Sequence, residues 1–253
     1  MYINAYYTTN IGSKKFSKNQ DAILLHEKII CNTSLPGVAF KSFDKSSLLF
    51  AVADGVSAHR YSEFASCKVL NLLMEKFFKN SIIKVIRDIQ EELETLSIHS
   101  RKLNGASTTL AGVNVEHDKA TIFHTGDSRV YLIRDKKLKL LTTDHTQANA
   151  MLKKGEITEE EFRNLSNIYS MLIGYLVYGE NDNLPVDVTK IHFGYKDILL
   201  ICTDGVNDSL NDNEIESIFK SDDLNTQAQT LFQKISQKEI DNFSFIIISN
   251  DLK

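Results

Sequence analysis

Short, continuous apolar runs that border an aspartate constrain the fold of this chain more than any other feature. They lack polar alternation, so they are typical of strands buried on both faces of a sheet. The runs are Leu48–Ala53, Thr121–His124, Ile198–Cys202 and Phe243–Ser249. All are far shorter than the roughly 20 residues that a membrane-spanning helix needs. Further strands are predicted at Tyr2–Thr9 and Ala22–Cys31, and a hairpin from Val130–Arg134 and Leu138–Leu141.

Two helices are predicted between the early and the middle strands, because apolar residues recur there at three- and four-residue spacing. These residues are Phe64, Cys67, Leu70, Leu73, Met74, Phe77 and Phe78 in the first helix, and Ile82, Val85, Ile86, Ile89, Leu93 and Leu96 in the second. A late helix is expected at Gln227–Ile240. Two residue pairs resemble capping boxes at helix starts, Thr158 with Glu161 and Asn211 with Glu214.

The order of these elements indicates the fold class. Consecutive strands in the middle of the chain favour antiparallel pairing and an α+β layered domain over a series of βαβ units. The 253 residues fit one large domain, and no linker divides them. The segment Asp144–Asn183 is polar and partly helical, so we expect it to be an insertion near one end of the sheet.

Composition disfavours several function classes. With 29 basic and 33 acidic residues, the net charge is −4, so no cationic surface for non-specific nucleic-acid binding is expected. Cys31, Cys67 and Cys202 have no CxxC spacing, which disfavours a zinc–thiolate site, and their small odd number is typical of a reducing compartment. The start of the chain does not resemble a signal peptide. We therefore expect a cytoplasmic protein.

Aspartates at the borders of the apolar strands carry the chemical signal. Asp54, Asp127 and Asp204 follow strands, whereas Asp21 and Asp241 precede them. Carboxylates that converge at a sheet end repel one another, and a bound Mg²⁺ or Mn²⁺ relieves that repulsion with hard oxygen ligands. For each aspartate taken alone, a structural turn is the more frequent explanation, since Asp-Gly is a common turn dipeptide. Sequence spacing by itself leaves their convergence open.

The longer sequence segments around these aspartates favour metal binding over structural turns. Seven segments resemble, in order, the motifs of the metal-dependent protein phosphatases, the PPM or type 2C class of serine/threonine phosphatases. The segments are Asn19–Asp21, Phe50–Ser57 with His59 and Glu63–Ser66, Gly105–Thr109, Gly126–Tyr131, Leu141–Thr146, Leu199–Val206 and Asp241–Ser244. The resemblance runs from residue 19 to residue 248, and it is closest to the bacterial variants of the motifs.

The resemblance implies both a fold and an activity. The fold would be a four-layer α+β sandwich, with two antiparallel sheets packed face to face and helices on both sides. Residues 1–253 would form a single catalytic domain with an insertion, or flap, around residues 144–183. The reaction would be hydrolysis of phosphoserine or phosphothreonine on proteins by a hydroxide that bridges two metal ions, either Mn²⁺ or Mg²⁺.

The same resemblance implies the ligands of the two ions. Asp54 would bridge both metals, and the backbone carbonyl of Gly55 would bind one of them. Asp204 and Asp241 would complete the other. No covalent phosphoenzyme is then needed, which agrees with the absence of a nucleophilic cysteine motif; Cys202 is expected in the core.

Further residues take secondary roles by this resemblance. Asp127 would share a weaker third metal with Asp204, and Asp21 would bind through water in the second shell. Arg129 is expected to pair with a carboxylate that holds the turn around Asp127. His145 is expected to order the insertion.

Some residues depart from the family pattern. Phe16 stands where the family often has an arginine that grips the substrate phosphate. Lys14, Lys15 or Lys18 could supply the charge there, although lysine lacks the bidentate fork of arginine. Gln20 replaces a glutamate and removes one charge near the metals.

A further departure concerns the proton donor. Val56 stands where animal members carry a histidine, but bacterial members lack that histidine as well. His59 is a candidate donor, although a helix-start or surface role is the more common one for such a histidine.

Two alternatives remain open beside an active phosphatase. A pseudophosphatase, acting as a regulatory binding module, is motivated by Phe16 and Gln20, but retention of the metal set argues against it. A two-metal nuclease is disfavoured by the acidic balance of the chain. The expected partners are phosphoproteins in signalling, substrates of a serine/threonine kinase. We expect no nucleic acid, no membrane and a monomer.

Overall fold

The computed structural model describes residues 2–13, 15–56, 59–165, 170–221 and 223–250, without the side chains of Phe78 and of residues 163–165. Lys14 and Ser57, which the sequence analysis considered, lie outside the described residues.

The described residues form β-strands and α-helices in a mixed order along the chain. The strands are β1 (Tyr2–Asn10), β2 (Ala22–Leu25), β3 (Lys28–Cys31), β4 (Ala39–Asp44), β5 (Ser47–Ala53), β6 (Ser107–Thr108), β7 (Leu110–Glu116), β8 (Lys119–Thr125), β9 (Arg129–Arg134), β10 (Lys137–Leu140), β11 (Leu176–Val177), β12 (Asp187–His192), β13 (Ile198–Cys202) and β14 (Phe243–Asn250). The helices are α1 (Ser62–Lys76), α2 (Ile82–His99), α3 (Gln147–Lys154), α4 (Glu159–Leu165), α5 (Asp204–Ser209), α6 (Asp212–Ile218) and α7 (Leu224–Ser236). A 3₁₀ turn at Phe77–Lys79 follows α1.

Two large sheets form the centre of the molecule. Sheet 1 has the strand order β10-β9-β13-β14-β1-β4, and sheet 2 has the order β12-β8-β7-β5-β2-β3. Neighbouring strands are antiparallel in both sheets. The strands β11 and β6 pair separately beside them. This arrangement confirms the predicted antiparallel α+β fold.

The two sheets bury a shared apolar core between them, and helices cover the outer faces. Side chains from both sheets meet in the central core, among them Ile3, Ile23, Phe50, Val113, Ile201 and Ile248. The helices α1 and α2 pack on the outer face of sheet 2. The helices α5, α6 and α7 pack on the outer face of sheet 1. The predicted four-layer sandwich is therefore confirmed.

Most predicted elements are present, with differences at turns and edges. The segment Ala22–Cys31 forms two strands instead of one, because the chain turns at His26, where φ is 58°. The predicted hairpin is present, with Asp135 and Lys136 both at positive φ in its turn. Phe64, expected on the buried face of α1, is 49% exposed. Both capping boxes are present. None of the helices in the described ranges is long and apolar enough to cross a bilayer.

Candidate metal centre

The aspartates singled out by the sequence meet at one end of the sandwich. Asp54, Asp127, Asp204 and Asp241 line a cleft of about 830 Å³. Sheet pairing explains the convergence. Ala53 at the end of β5 pairs with Ala22 at the start of β2, so the aspartates that flank these residues are neighbours. The strands β13 and β14 are likewise antiparallel, which brings the end of one and the start of the other to the same edge.

Asp21 lies behind the cleft, in the interior. Its Oδ2 accepts hydrogen bonds from the hydroxyls of Thr203, at 2.9 Å, and Ser244, at 2.8 Å. Its buried Oδ1 has no hydrogen-bond partner among the described residues. Burial, opposed by these two hydroxyls, raises the pKa of Asp21 to about 7.

The carboxylates in the cleft perturb one another. Desolvation, followed by the charge of Asp21, raises the pKa of Asp54 well above its ordinary value. Desolvation, followed by the charge of Asp54, likewise raises the pKa of Asp204 well above its ordinary value. Burial and the charge of Asp144 raise the pKa of Asp127 to about 6. The cleft thus concentrates negative charge that its own surroundings do not neutralise.

This set of atoms fits a hard divalent cation. The donors are carboxylate oxygens, which Mg²⁺ and Mn²⁺ prefer. The buried Oδ1 atoms of Asp21 and Asp127 have no protein partner among the described residues, and such buried acceptors ordinarily have one. A cation would stabilise the ionised form of each carboxylate against the burial and the repulsion that raise their pKa values.

The turn at Asp54 and Gly55 is held rigidly. The backbone N–H of Asp54 donates to the Thr109 hydroxyl at 3.1 Å, and its carbonyl accepts from the Thr108 hydroxyl at 2.8 Å. A Cβ on Gly55 would lie 2.7 Å from the backbone of Ser62 and 2.8 Å from the carbonyl oxygen of Gln20. Only glycine fits this close approach of three backbone segments.

The first and last sequence motifs are joined by the Asn242 side chain. Its Oδ1 accepts from the backbone N–H of Gln20 at 2.8 Å, and its Nδ2 donates to the carbonyl of Ile11 at 2.9 Å. The adjacent Asp241, whose pKa is raised by desolvation, is thereby fixed against the segment that carries Asp21.

The turn that carries Asp127 is braced by charged and polar partners. The carboxylate partner of Arg129 is Asp144, which accepts from Nε at 3.0 Å and from Nη2 at 2.7 Å. His145 brackets Gly126: its backbone N–H donates to the Gly126 carbonyl at 2.9 Å, and its Nδ1 accepts from the Gly126 N–H at 3.2 Å. This double contact fixes the residue immediately before Asp127.

A second group of possible ligands lies nearby, formed by His124, His145 and Asp187, whose ligand atoms lie within 4.8 Å of one another. Because Nδ1 of His145 accepts from a backbone N–H, its proton is on Nε2, which lies 3.1 Å from Asp187 Oδ2. The Nε2 of His124 donates to the carbonyl of Thr143 at 2.9 Å. These partners identify the group as a hydrogen-bond network more than an ion site.

A smaller pocket of about 320 Å³ adjoins the cleft, and Gln20 lines both cavities. Phe16, Lys18 and His59 line this side pocket. The ammonium group of Lys18 forms an ion pair with the buried Glu63.

The other residues considered for phosphate binding and proton transfer lie as follows. Lys15 is exposed and lines neither cavity. The Nδ1 of His59 accepts from the backbone N–H of Tyr61 at 3.3 Å, which ties the imidazole to the start of α1. Val56 lines the main cleft.

Sequence reasoning missed two residues at the site. Arg60 lines the side pocket, and its guanidinium lies 5.1 Å from the centre of the Tyr61 ring. Asp208 lines the cleft one turn after Asp204 in α5, and desolvation followed by the charge of Asp241 raises its pKa. For Asp208, the four-residue spacing from Asp204 at a helix start was the available signal.

The segment expected to be an insertion borders the cleft. Phe162, Met171 and Tyr175 line one side of it. The segment is fixed to the rest of the protein where β11 pairs with β6, and where the Gln90 side chain binds the backbone of Val177 at 2.9 and 3.0 Å.

Comparison with known proteins supports one family. The sequence model of the family described as "Protein phosphatase 2C" matches residues 37–243. The serine/threonine phosphatase stp of Listeria monocytogenes is 29% identical over 229 residues, which cover 85% of this chain and 89% of that protein. A putative protein phosphatase 2C-type of Streptococcus pyogenes is 30% identical over 258 residues, with 96% of each chain covered.

Solved structures share the fold. The Mycobacterium tuberculosis serine/threonine phosphatase PstP/Ppp has a TM-score of 0.77 at 21% identity, with 100% of both chains covered. The catalytic domain of PstP, solved in complex with two manganese ions, has a TM-score of 0.74 at 21% identity, with 98% of this chain and 99% of that chain covered. Since the family match spans most of the chain, and a relative at 30% identity spans nearly all of it, the chain belongs to the protein phosphatase 2C family.

Proposed function

We propose that this protein is a serine/threonine phosphatase that hydrolyses phosphoserine and phosphothreonine on proteins with the help of two divalent metal ions. The observation that carries the proposal is the convergence of Asp21, Asp54, Asp127, Asp204 and Asp241 at one end of the sandwich. Their pKa values are all raised, which is the state expected of a carboxylate cluster that is built to bind cations.

Asp54, the Gly55 carbonyl, Asp204 and Asp241 would hold the two ions. Asp127 would bind a weaker third ion together with Asp204. When bound, a pair of such ions supplies a hydroxide nucleophile at neutral pH and neutralises charge on the phosphoryl oxygens. Mn²⁺ and Mg²⁺ both suit the all-oxygen donor set.

Other residues of the chain would position this centre. The hydroxyls of Thr108 and Thr109 hold the backbone of Asp54 in place. Asp21, held by the Thr203 and Ser244 hydroxyls, would support the centre through a water molecule. Preorganised ligands of this kind reduce the structural change needed when the transition state forms.

The substrate phosphate would be gripped from the side pocket. Phe16 leaves that region without the arginine common in the family, and Lys18 is already paired with Glu63. Arg60 is exposed, and no ion pair among the described residues includes it. Its guanidinium would therefore bind two oxygens of the substrate phosphate. His59, beside it, is the candidate proton donor. Phe162, Met171 and Tyr175 of the insertion would select the residues that flank the phosphorylated side chain.

We also propose a cellular setting for this activity. The substrates would be products of a serine/threonine kinase, and the protein would act as a cytoplasmic monomer in signalling.

The decisive experiment measures release of phosphate from a phosphothreonine peptide with Mn²⁺, with Mg²⁺ and with a chelator. Asp204→Asn should lose turnover, whereas the matched variant Asp135→Asn, in the exposed hairpin turn, should keep it. Metal-dependent turnover that is lost only in Asp204→Asn supports the proposal. Absence of both turnover and metal binding would instead favour a pseudophosphatase that acts as a binding module.

A further inference from the structure

A disulfide joins two cysteines for which the sequence indicated no pairing. Cys31 at the end of β3 and Cys67 in α1 are bonded, with their Cα atoms 5.8 Å apart and a sequence separation of 36. This Cα separation lies in the usual range for disulfides, so the backbone accommodates the bond. The bond links an edge strand of sheet 2 to the helix that covers that sheet.

The disulfide frames the segment that carries Gln20 and Asp21. Cys31 pairs in the sheet with Ala22, the residue immediately after Asp21. On the other side, the hydroxyl of Ser66, adjacent to Cys67, donates to the Gln20 carbonyl at 2.6 Å. Gln20 and Asp21 therefore lie between the two half-cystines. Cys31 contacts the residue that follows Asp21, and the neighbour of Cys67 binds the Gln20 carbonyl.

The disulfide joins two residues near the surface of the protein. Cys31 and Cys67 are both partly exposed. A side-chain amide nitrogen lies 3.7 Å from each sulfur, that of Asn32 from Cys31 and that of Asn71 from Cys67. Such donors stabilise the thiolate that attacks or leaves in thiol–disulfide exchange. Cys202, in contrast, is fully buried in β13, and burial raises the pKa of its thiol to about 12.

We propose that Cys31 and Cys67 are a redox-modification site, a thiol pair that low-molecular-weight disulfides oxidise reversibly and that fixes the Gln20–Asp21 segment when oxidised. In the forward direction one thiolate attacks the small disulfide, forms a mixed disulfide and releases one small thiol. The second thiolate then attacks the protein sulfur of the mixed disulfide and releases the other. The two cysteines lose two electrons and two protons, and the small disulfide gains them as two thiols.

The proposal is independent of phosphatase activity, and three readouts without substrate test it. The full-length protein is equilibrated in buffers of reduced and oxidised glutathione, and its cysteines are then alkylated and mapped by mass spectrometry. Oxidation should yield a Cys31–Cys67 cross-linked peptide, and Tm should rise by about 5–15 °C relative to the reduced protein. Hydrogen exchange in peptides that contain Gln20 and Asp21 should be faster in the reduced protein.

Matched variants make the outcome decisive. The double variant Cys31→Ser/Cys67→Ser should show no redox-dependent change in Tm, whereas Cys202→Ser should keep the full change. Recovery of Cys31 and Cys67 as free thiols or as separate glutathione adducts under oxidising conditions would overturn the proposal. So would a cross-link whose reduction leaves Tm and the exchange of the Gln20–Asp21 peptides unchanged.

Discussion

Acidification should stabilise the metal-free protein, because carboxylates in the cleft bind protons more tightly in the folded chain than in the unfolded one. Burial raises the pKa of Asp21 from its ordinary value of 3.8 to about 7. Between these two values the folded state holds a proton that the unfolded state has released. The free energy of unfolding therefore rises as the pH falls through this window, and it decreases as the pH rises towards 7.

The size of the stabilisation follows from the pKa shift of Asp21. The complete shift of Asp21 corresponds to about 4 kcal/mol, at 1.36 kcal/mol per pKa unit. Between pH 7.5 and pH 5.5 the free energy of unfolding rises by only part of this amount, about 2 kcal/mol. That free energy corresponds to roughly 4–8 °C in the Tm of a chain of this size. His124 opposes the gain, because burial lowers its pKa and protonation of its ring favours unfolding.

A matched variant isolates the contribution of Asp21. Thermal unfolding is followed by circular dichroism in the presence of chelator at both pH values, for the wild type and for Asp21→Asn. The variant retains His124, so the effect of that residue cancels in the comparison. The variant also removes the charge that helps to raise the pKa of Asp54, so the difference reports Asp21 together with its coupling to Asp54. We expect the wild type to gain roughly 4–8 °C more than the variant on acidification. A difference in Tm between the two proteins that is the same at both pH values would refute the reasoning.

Four other predictions test the site. Mn²⁺ should raise Tm more at pH 7.5 than at pH 5.5, because metal ligands must be deprotonated; an equal rise at both would contradict binding by these carboxylates. Asp54→Asn should abolish phosphopeptide hydrolysis with an unchanged circular dichroism spectrum, and retained turnover would exclude a role for Asp54 in holding the metals. Arg60→Ala should raise KM about tenfold with little change in kcat, and Phe16→Arg should restore KM in that variant; an unchanged KM would remove Arg60 from phosphate binding. Gly55→Ala should lower the free energy of unfolding by about 1–3 kcal/mol, measured by urea titration, because its Cβ would overlap the backbone of Ser62; an unchanged midpoint would show that the turn can relax.

The sequence predicts the central strands well because they are buried on both faces. All eight residues of β14 are buried, as are all but the first residue of β5 and of β13, and such runs are mostly apolar. The strands β4, β7 and β12, and the two-residue strands β6 and β11, were not predicted. The strands β4 and β12 lie on sheet edges and are mostly exposed, so they carry little apolar periodicity. The strand β7 is buried inside sheet 2, but Gly112 and Asn114 interrupt its apolar run.

The same distinction applies to the site. The aspartates were found because each borders a buried strand within an extended motif. Arg60 and the Cys31–Cys67 disulfide were missed because their roles depend on contacts between distant segments. The spacing of Cys31 and Cys67 gives no signal, and only the packing of α1 against sheet 2 brings the two sulfurs together.

The contrast between the two groups of possible ligands supports a cation-binding role for the aspartates. In the group of His124 and His145, the hydrogen-bond partners are a backbone carbonyl, a backbone N–H and a carboxylate, so the protein itself satisfies those nitrogens. In the cleft, Asp21 and Asp127 retain buried oxygens without partners among the described residues. Burial, followed by neighbouring charges, raises the pKa of Asp54 and Asp204. A buried, unpaired carboxylate destabilises the folded state, and the packing of the strands does not require one. Such carboxylates at the ends of several well-packed strands are therefore explained by a ligand that offsets this destabilisation. A divalent cation has the charge and the preference for oxygen ligands to do so.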